Sequence, residues 1–204
     1  MRAKICGITT LADAQLAVRL GAWALGFNFY KKSPRFIAPS AAKAIIAELP
    51  ASVLKVGLLI DEIPRDLEAF MHDVGLDLLQ VYTLLEVPLR LKKRMILGVN
   101  VTCQEALPAH AELDQYAYLL LDAPKDSDGV FGGTGRLSNW ALATQLAKKY
   151  RLFLAGGLNP QNVQAAIQAV DPYAVDVASG VQAVPGRLEP ILLTDFLRRV
   201  NDEF

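Results

Sequence analysis

Two side chains that can move protons follow apolar runs of this sequence. Cys6 ends the first run, residues 2–6, and Asp122 ends a later one, residues 117–122. A thiolate accepts a proton and a carboxylic acid donates one, so these residue types suit paired acid and base catalysis. If the runs are strands of one parallel barrel, both residues lie where barrel enzymes place their catalytic groups. The sequence therefore predicts Cys6 as a candidate base and Asp122 as a candidate acid.

Each of these assignments has a plainer structural alternative. A buried cysteine is most often an inert core residue, and this alternative applies to Cys6. Asp122 could simply cap a loop. However, a carboxylate that ends the apolar run 118–121 is costly to desolvate without a partner or a task. This cost favours a catalytic role for Asp122.

The pattern of the whole chain predicts the elements that position these residues. Short runs rich in Val, Ile, Leu, Phe and Tyr each precede a stretch with helical spacing, which is typical of parallel βα units. Most runs are continuously apolar, as expected for strands that are covered on both faces. The eight predicted strands are residues 2–6, 24–29, 54–60, 78–82, 95–101, 117–122, 151–155 and 174–178. The predicted fold is α/β, a single TIM barrel of eight βα units, with residues 1–204 as one catalytic domain.

Capping residues, prolines and glycines signal the helix boundaries. The predicted starts of the first, second, third and seventh helices are Thr10, Ser40, Pro64, and Asn159 followed by Pro160. The predicted ends of the first and third helices are Gly21 and Gly75. The fourth and fifth helical regions, residues 87–94 and 104–112, each contain a proline, so short helices and irregular turns both remain open there.

Composition excludes several classes of partner. The chain has 204 residues, of which 52% are apolar, and this is enough for one large core. Its 21 basic and 21 acidic residues cancel, so no overall field favours nucleic acid or an anionic membrane surface. The beginning of the sequence lacks the apolar stretch of a signal peptide, and no run is long enough for a membrane helix. We expect a cytoplasmic protein with neither nucleic acid nor membrane partners.

Cysteine and histidine are too few and too scattered for a metal site. Cys6, Cys103, His72 and His110 show no ligand spacing, so we predict no metal. In an eight-stranded barrel the first and fifth strands lie on opposite walls, which is too far apart for a disulfide. We therefore expect Cys6 to be a free thiol.

Glycine-bearing segments follow the last three predicted strands. They are residues 132–135 (GGTG), 156–159 (GGLN) and 179–181 (SGV). Glycines let backbone N–H groups approach an anion closely, and TIM barrels often bind phosphate between the last two loops beside a short extra helix. Residues 179–183 could form that helix. Any one segment could be only a tight turn, but recurrence after three successive strands favours a phosphorylated small-molecule ligand.

Taken in order, these segments resemble the phosphoribosylanthranilate isomerase family, enzymes of tryptophan biosynthesis. The family converts N-(5′-phosphoribosyl)anthranilate into 1-(2-carboxyphenylamino)-1-deoxyribulose 5-phosphate by an Amadori rearrangement. The resemblance covers nearly the whole chain. It is carried by residues 4–9 (KICGIT), 26–27 (GF), 33–35 (SPR), 121–122 (LD), 132–135 (GGTG), 154–158 (LAGGL), 175–181 (VDVASGV) and 185–186 (PG).

The resemblance implies a role for each candidate site residue. Cys6 would be the general base, Asp122 the general acid, and Arg35 the partner of the anthranilate carboxylate. The phosphate would be bound by Gly133, Thr134, Gly156, Gly157, Ser179 and Gly180. The reaction is an internal redox shift, so it implies no metal and no other cofactor. It requires a thiolate at Cys6 and a protonated Asp122, and we expect the site to favour those forms.

Two departures from the family pattern lie at the third and fourth strands. Residues 80–83 read QVYT where the family usually has Gln-Leu-His-Gly, and the third strand ends in LLID at residues 58–61. One wall of the pocket is therefore altered. We interpret Asp176, within a strand, as structural and outside the site.

Two alternative functions remain open. The first is a non-catalytic barrel that binds a phosphoribosyl ligand, although the presence of both Cys6 and Asp122 argues against it. The second is another sugar-phosphate TIM-barrel enzyme, such as a ribulose-phosphate epimerase. Epimerases of that type rely on metal-binding histidines, and only His72 and His110 occur here. We expect a monomer, because no long heptad pattern is visible.

Overall fold

A computed structural model describes residues 1–101, 103–123 and 138–201 of the chain. In these ranges eight parallel strands pair in sequence order and form a closed barrel. The strands are β1 (Arg2–Cys6), β2 (Ala24–Asn28), β3 (Leu54–Leu59), β4 (Leu78–Val81), β5 (Met95–Val99), β6 (Tyr118–Leu121), β7 (Leu152–Leu154) and β8 (Ala174–Val177). The barrel closes where β1 pairs with β8, with Lys4 opposite Asp176.

The predicted TIM barrel and its eight strands are confirmed. Most predicted strands run one or two residues beyond the observed ends, because apolar side chains continue past the last residue that pairs with a neighbouring strand. Phe29, for example, is buried but follows the end of β2. A run of apolar residues therefore indicates which residues are buried, whereas the ends of a strand depend on its hydrogen bonds to the neighbouring strands.

Helices alternate with the strands and cover the outside of the barrel. They are α1 (Leu11–Arg19), α2 (Pro39–Ala47), α3 (Leu67–Val74), α4 (Leu89–Lys92), α5 (His110–Leu113), α6 (Trp140–Ala147), α7 (Val163–Val170) and α8 (Pro190–Asn201). The sequence left both short helices and irregular turns open for residues 87–94 and 104–112. These regions contain α4, most of α5 and a 3₁₀ turn, Gln104–Ala106. Among the described helices, none combines the length and the apolar composition that crossing a membrane requires.

Three helix-boundary predictions are confirmed. The hydroxyl of Thr10 accepts a hydrogen bond from the N–H of Asp13 at 3.2 Å, which caps α1. Gly21 follows the end of α1 with φ of +92°, and Gly75 ends α3 with φ of +86°. Both glycines adopt the left-handed conformation that ends many helices.

Three predicted helix starts are wrong. The second helix begins at Pro39 rather than Ser40, because proline takes the first-turn position after Ala38. The third helix begins three residues after Pro64, because Asp66 supplies the cap by accepting from the N–H of Ala69 at 2.9 Å.

The seventh helix also begins later than predicted, at Val163 rather than after Asn159. Asn159 caps the turn before the helix, and its side-chain oxygen accepts from the N–H groups of Gln161 at 2.9 Å and Asn162 at 3.2 Å. The asparagine thus has the predicted capping chemistry, but at a separate turn.

A small antiparallel hairpin follows the barrel's last strand. The extra helix predicted at residues 179–183 is a single 3₁₀ turn, Ser179–Val181. It leads directly into β9 (Gln182–Val184), which pairs with β10 (Arg187–Leu188). The prediction of a helix over residues 182–183 is wrong because these residues join the hairpin. The hairpin carries Gln182 back to the barrel mouth, as described below.

Aromatic side chains fill the barrel at its amino-terminal end. Phe153 is fully buried, and its ring centroid lies 5.4 Å from that of Tyr118 and 6.0 Å from that of Trp23. Arg2 lies over the ring of Tyr173 at 4.3 Å. Because this end is filled, the barrel's cavity opens at the opposite end, where the strands lead into the βα loops.

Candidate active site

An open cavity of about 710 Å³ lies at the carboxyl ends of the strands. Six of the predicted site residues line it, namely Cys6, Arg35, Asp122, Gly156, Gly157 and Ser179. Gly180 directly follows Ser179. Gly133 and Thr134 lie outside the described residues.

Glycines make room for the thiol and for the chain that follows it. Cys6 is the last residue of β1 and is only 8% exposed. A Cβ at Gly26, on the adjacent strand β2, would lie 2.9 Å from the Cys6 sulfur. Gly7 turns the chain away with φ of +84°, and a Cβ there would lie 2.6 Å from the Arg35 side chain. Small residues at these positions allow Cys6 and Arg35 to lie close together.

A buried ion pair lies one side-chain layer below Cys6. The Lys4 Nζ is 2.8 Å from Asp176 Oδ1, and the two residues are only 1% and 8% exposed. Burial works against the charge on Lys4, but Asp176 and Cys6 outweigh it and raise the Lys4 pKa above its ordinary value. Lys4 is therefore a fixed positive charge beneath the thiol.

The pKa of Cys6 is raised, mainly because the thiol is buried. Lys4 lowers this pKa, Asp176 raises it further, and Arg35 lowers it. The net direction is opposite to the expectation that the site favours a thiolate, because desolvation outweighs the two cations. In the free protein Cys6 is a thiol at neutral pH.

The carboxyl group of Asp122 is held at both oxygens. Its Oδ1 accepts a hydrogen bond from the N–H of Ala123 at 2.8 Å, and its Oδ2 lies 3.3 Å from the donating hydroxyl of Tyr82. Burial raises the pKa of Asp122 to about 6, and the charge of Asp176 adds to the rise, although Ala123, Tyr82 and Lys4 oppose it. This shift is in the direction that a general acid requires.

Arg35 is oriented by the side chain of Gln182. The Arg35 Nε donates to Gln182 Oε1 at 2.8 Å, and the Gln182 Nε2 donates to the carbonyl of Cys6 at 3.3 Å. The N–H of Gly186 donates to the same Gln182 oxygen at 3.3 Å. Gln182 thus links the arginine, the end of β1 and the hairpin. Because it is neutral, it orients the guanidinium without cancelling its charge.

The loops after β7 and β8 meet each other, and the first of them also meets Ala123, at one side of the mouth. Gly156 and Gly157 have φ of +84° and +64°, and a Cβ at Gly156 would lie 2.6 Å from the Ala123 nitrogen. A Cβ at Gly180 would clash with the carbonyl oxygen of Leu158. Glycine is therefore required for the contact between these backbones, which is the kind of surface that suits a phosphate group.

Several polar residues of the cavity were missed by the sequence reasoning. Lys4 and Tyr82 were not singled out for a role in the site, and Asp176 was interpreted as lying outside it, whereas Asp176 and Tyr82 line the cavity. A signal existed for Lys4, Gln80 and Asp176, because each is a polar residue within a continuously apolar strand.

Metal ligands do not cluster in the described part of the chain. Over residues 1–101, 103–123 and 138–201, no group of three or more His, Cys, Asp and Glu side chains could hold a metal ion. The cysteines are both free; Cys6 is buried and Cys103 is exposed. The expectation that Cys6 is a free thiol is confirmed.

Comparison with known proteins identifies the family of this chain. Residues 3–198 match the family model described as N-(5′-phosphoribosyl)anthranilate (PRA) isomerase. A relative of that name from Pelobacter propionicus is 41% identical over 201 residues, covering 97% of this chain and 94% of the relative.

Solved structures give the same result. A phosphoribosyl anthranilate isomerase from Thermus thermophilus is 36% identical, with a TM-score of 0.80 and 98% coverage of both chains. Another isomerase, solved in complex with reduced 1-(o-carboxyphenylamino)-1-deoxyribulose 5-phosphate, is 34% identical, with a TM-score of 0.78 and full coverage of both chains. This chain belongs to the N-(5′-phosphoribosyl)anthranilate isomerase family.

Proposed function

We propose that this enzyme converts N-(5′-phosphoribosyl)anthranilate into 1-(2-carboxyphenylamino)-1-deoxyribulose 5-phosphate, with Asp122 as general acid and Cys6 as general base. The observation that carries the proposal is that a thiol and a carboxyl group with a raised pKa line one cavity at the barrel mouth. The complex of a 34% identical isomerase with a reduced form of the same product supports it.

The first step opens the ribose ring. Asp122 donates its proton to the ring oxygen, the bond between that oxygen and C1′ breaks, and the anthranilate nitrogen forms an iminium with C1′. With a pKa of about 6, Asp122 is protonated in a larger fraction of molecules near neutral pH than an ordinary aspartate is.

The second step moves hydrogen from C2′. The Cys6 thiolate removes the C2′ proton, the electrons of the C–H bond neutralise the iminium, and an enolamine forms. The enolamine then tautomerises to the ketone, so C2′ is oxidised and C1′ is reduced within one molecule. This balance requires no external oxidant, reductant or metal. The charges of Lys4 and Arg35 favour the thiolate.

Substrate binding would use one charged side chain and the glycine-bearing backbone of the mouth. We propose that the Arg35 guanidinium binds the anthranilate carboxylate, because its planar fork fits a carboxylate. The phosphate would lie on the loops after β7 and β8, with Gly156, Gly157, Ser179 and Gly180 as its contacts. Gly133 and Thr134 would complete this phosphate site.

We further propose that residues 1–204 act as a single catalytic domain and as a monomer. A single chain brings the proposed acid, base and arginine together at one cavity, so these three groups require no second subunit. A relative from Thermotoga maritima is described as dimeric, which makes a dimer the alternative. Light scattering at micromolar concentration distinguishes the two, and a doubled mass would contradict the proposal.

The test of the activity is turnover of freshly generated phosphoribosylanthranilate, followed by its fluorescence in the presence of a chelator. We expect Cys6→Ala and Asp122→Asn each to lower kcat by about 10²–10⁴-fold. Cys103→Ala, which removes an exposed thiol, is the matched control and should retain full turnover. A native protein that binds a product analogue without turnover would instead identify a non-catalytic ligand-binding barrel.

A further inference from the structure

The wall of the cavity beside Asp122 is formed by Tyr82 and Gln80. The Tyr82 hydroxyl lies 3.3 Å from Asp122 Oδ2 and 3.1 Å from Gln80 Nε2. Both residues belong to the QVYT segment, in which Gln80 agrees with the Gln-Leu-His-Gly of the resemblance and Tyr82 replaces its histidine. The tyrosine is therefore a departure in direct contact with the candidate acid.

The tyrosine ring is positioned by the neighbouring strand. A Cβ at Gly98, in β5, would lie 2.5 Å from Tyr82 Cε1 and 2.7 Å from its Cδ1. No real side chain tolerates such distances, so only glycine at position 98 lets the ring lie against β5. This packing sets the direction in which the Tyr82 hydroxyl points, which is towards Asp122.

Gln80 determines which way the tyrosine's hydrogen points. The Gln80 Nε2 donates to the Tyr82 oxygen, so the Tyr82 proton is directed to the Asp122 carboxylate. Gln80 is only 1% exposed, and among the described residues its Oε1 has no hydrogen-bond partner. A buried amide that leaves its own oxygen unpaired while holding a tyrosine is costly unless that contact has a use.

Charged and polar groups face Asp122 from three other segments of the barrel and from the residue that follows it. Asp176 from β8 raises its pKa, whereas the Ala123 N–H, the Tyr82 hydroxyl and Lys4 from β1 lower it. Tyr82 is the one side chain that donates to the carboxylate among the described residues. Its hydroxyl can be removed without changing the charge of Asp176 or of Lys4.

We propose that Tyr82, oriented by Gln80 and seated on Gly98, is a positioning residue that holds Oδ2 of Asp122 and restrains its uptake of a proton. The catalytic meaning of this contact rests on the proposed function, in which Asp122 is the general acid. The contact itself is independent of turnover, since it concerns only the free protein.

The direct test is the titration of Asp122 in protein labelled with ¹³C at aspartate carboxyl carbons, with Asp122→Asn used to assign the signal. Tyr82→Phe keeps the ring on Gly98 and removes only the hydroxyl. Because the hydroxyl stabilises the carboxylate, its loss should raise the proton affinity of Asp122 by about three- to tenfold, an upward pKa shift of about 0.5–1. Tyr150→Phe, whose hydroxyl contacts His110 instead, should leave it unchanged.

A second variant tests the same contact in case Tyr82→Phe does not fold correctly. Gln80→Met leaves Tyr82 in place but removes the amide that orients it, and we expect a smaller upward shift. An Asp122 titration identical to the native one in both variants would overturn the inference.

Turnover then separates the two proposals. If the native protein is inactive but Tyr82→Phe still shifts the Asp122 titration, the proposed function fails and the positioning contact stands. If the native protein is active, the limb of its pH profile that belongs to Asp122 should move to higher pH in Tyr82→Phe. An active Tyr82→Phe enzyme with an unmoved limb would overturn the inference and leave the proposed function intact.

Discussion

Burial raises the pKa of both Cys6 and Asp122, and the two shifts have opposite consequences for the proposed reaction. The shift of Asp122 to about 6 makes the acid form more available, whereas the raised pKa of Cys6 makes the thiolate less available. In neutral solution the pair is mainly a thiol and a carboxylate. The reactive pair, a thiolate and a carboxylic acid, carries the same single proton on the other group. The two arrangements therefore titrate together as one macroscopic state, of which the reactive pair is the minor part.

The dependence of kcat/KM on pH should therefore be bell-shaped. We expect it to rise through about pH 6, where the pair loses its first proton, and to fall above the ordinary cysteine pKa, where it loses the second. The substrate phosphate also titrates at about pH 6, so its titration must be measured separately. Maximal kcat/KM below pH 5 would contradict the proposed assignment of the pair.

Gln182 offers a test of how Arg35 is oriented. Gln182→Met keeps the side-chain length but removes the oxygen that accepts from Arg35 Nε at 2.8 Å. We expect KM for the substrate to rise by about 10- to 100-fold and kcat to change much less, because one hydrogen bond to a charged group contributes about 1.5–3 kcal/mol. Steady-state kinetics measures the two constants.

The control for this variant is Gln115→Met, which removes a glutamine that contacts Lys92 in a different part of the molecule. It should leave KM unchanged. If Gln182→Met lowered kcat alone, the role of Gln182 would lie with Cys6, whose carbonyl it also contacts.

At the scale of elements, the strands were predictable and their contacts were not. Parallel strands covered on both faces are continuously apolar, so eight such runs indicated a barrel and placed Cys6 and Asp122 at its mouth. The ion pair between Lys4 and Asp176 depends on the register of β1 with β8, which a single sequence does not specify. The contact of Tyr82 with Asp122 depends likewise on a side-chain direction set by Gly98.

In the loops, too, the conformation of single residues was predictable and their contacts were not. Glycines at positions 156 and 157 predicted close backbone approach, but not which backbone would approach. The structure shows that Gly156 lies against Ala123, the residue after the candidate acid. The loop proposed to bind phosphate is therefore in contact with the residue that follows the proposed acid, and a change at Gly156 should affect the site.

Gly156→Ala and Gly21→Ala form a matched pair that tests this contact. Both glycines have positive φ, of +84° and +92°, so each substitution should lower the free energy of unfolding by at least about 1–2 kcal/mol, with the larger loss at Gly156. Only at Gly156 would the new Cβ also lie 2.6 Å from a backbone nitrogen at the mouth. We expect Gly156→Ala alone to raise KM, by at least tenfold. Urea unfolding and kinetics of both variants measure these effects, and equal KM values would contradict the predicted coupling.

At the scale of the whole molecule, the two ends of the barrel have different chemistry. The amino-terminal end is filled by aromatic rings around Phe153, whereas the other end contains buried charge at Lys4, Asp176 and Asp122. Burying charge costs stability, and Lys4 and Asp176 offset part of that cost by pairing at 2.8 Å. Asp122 has hydrogen bonds but no ion-pair partner within the described ranges, so its ionised form destabilises the fold.

This cost gives stability a specific dependence on pH. The folded-state pKa of Asp122, about 6, lies above its ordinary value of 3.8, so the folded state binds this proton more tightly than the unfolded state. The resulting stabilisation is present below the ordinary pKa and is lost as pH rises through about 6. The loss amounts to about 3 kcal/mol at about 1.4 kcal/mol per pKa unit.

Asp122→Asn removes this ionisation while keeping the shape of the side chain. The stability of the native enzyme relative to Asp122→Asn should therefore fall by about 3 kcal/mol between pH 3.5 and pH 7.5. Urea unfolding of both proteins across this range measures the difference, with Asp73→Asn at an exposed ion pair as the control. A difference independent of pH would mean that Asp122 ionises as easily in the folded protein as in the unfolded chain. A difference that falls by about 3 kcal/mol would show that ionised Asp122 weakens the fold near neutral pH, which is the cost of burying the carboxyl group proposed as the acid.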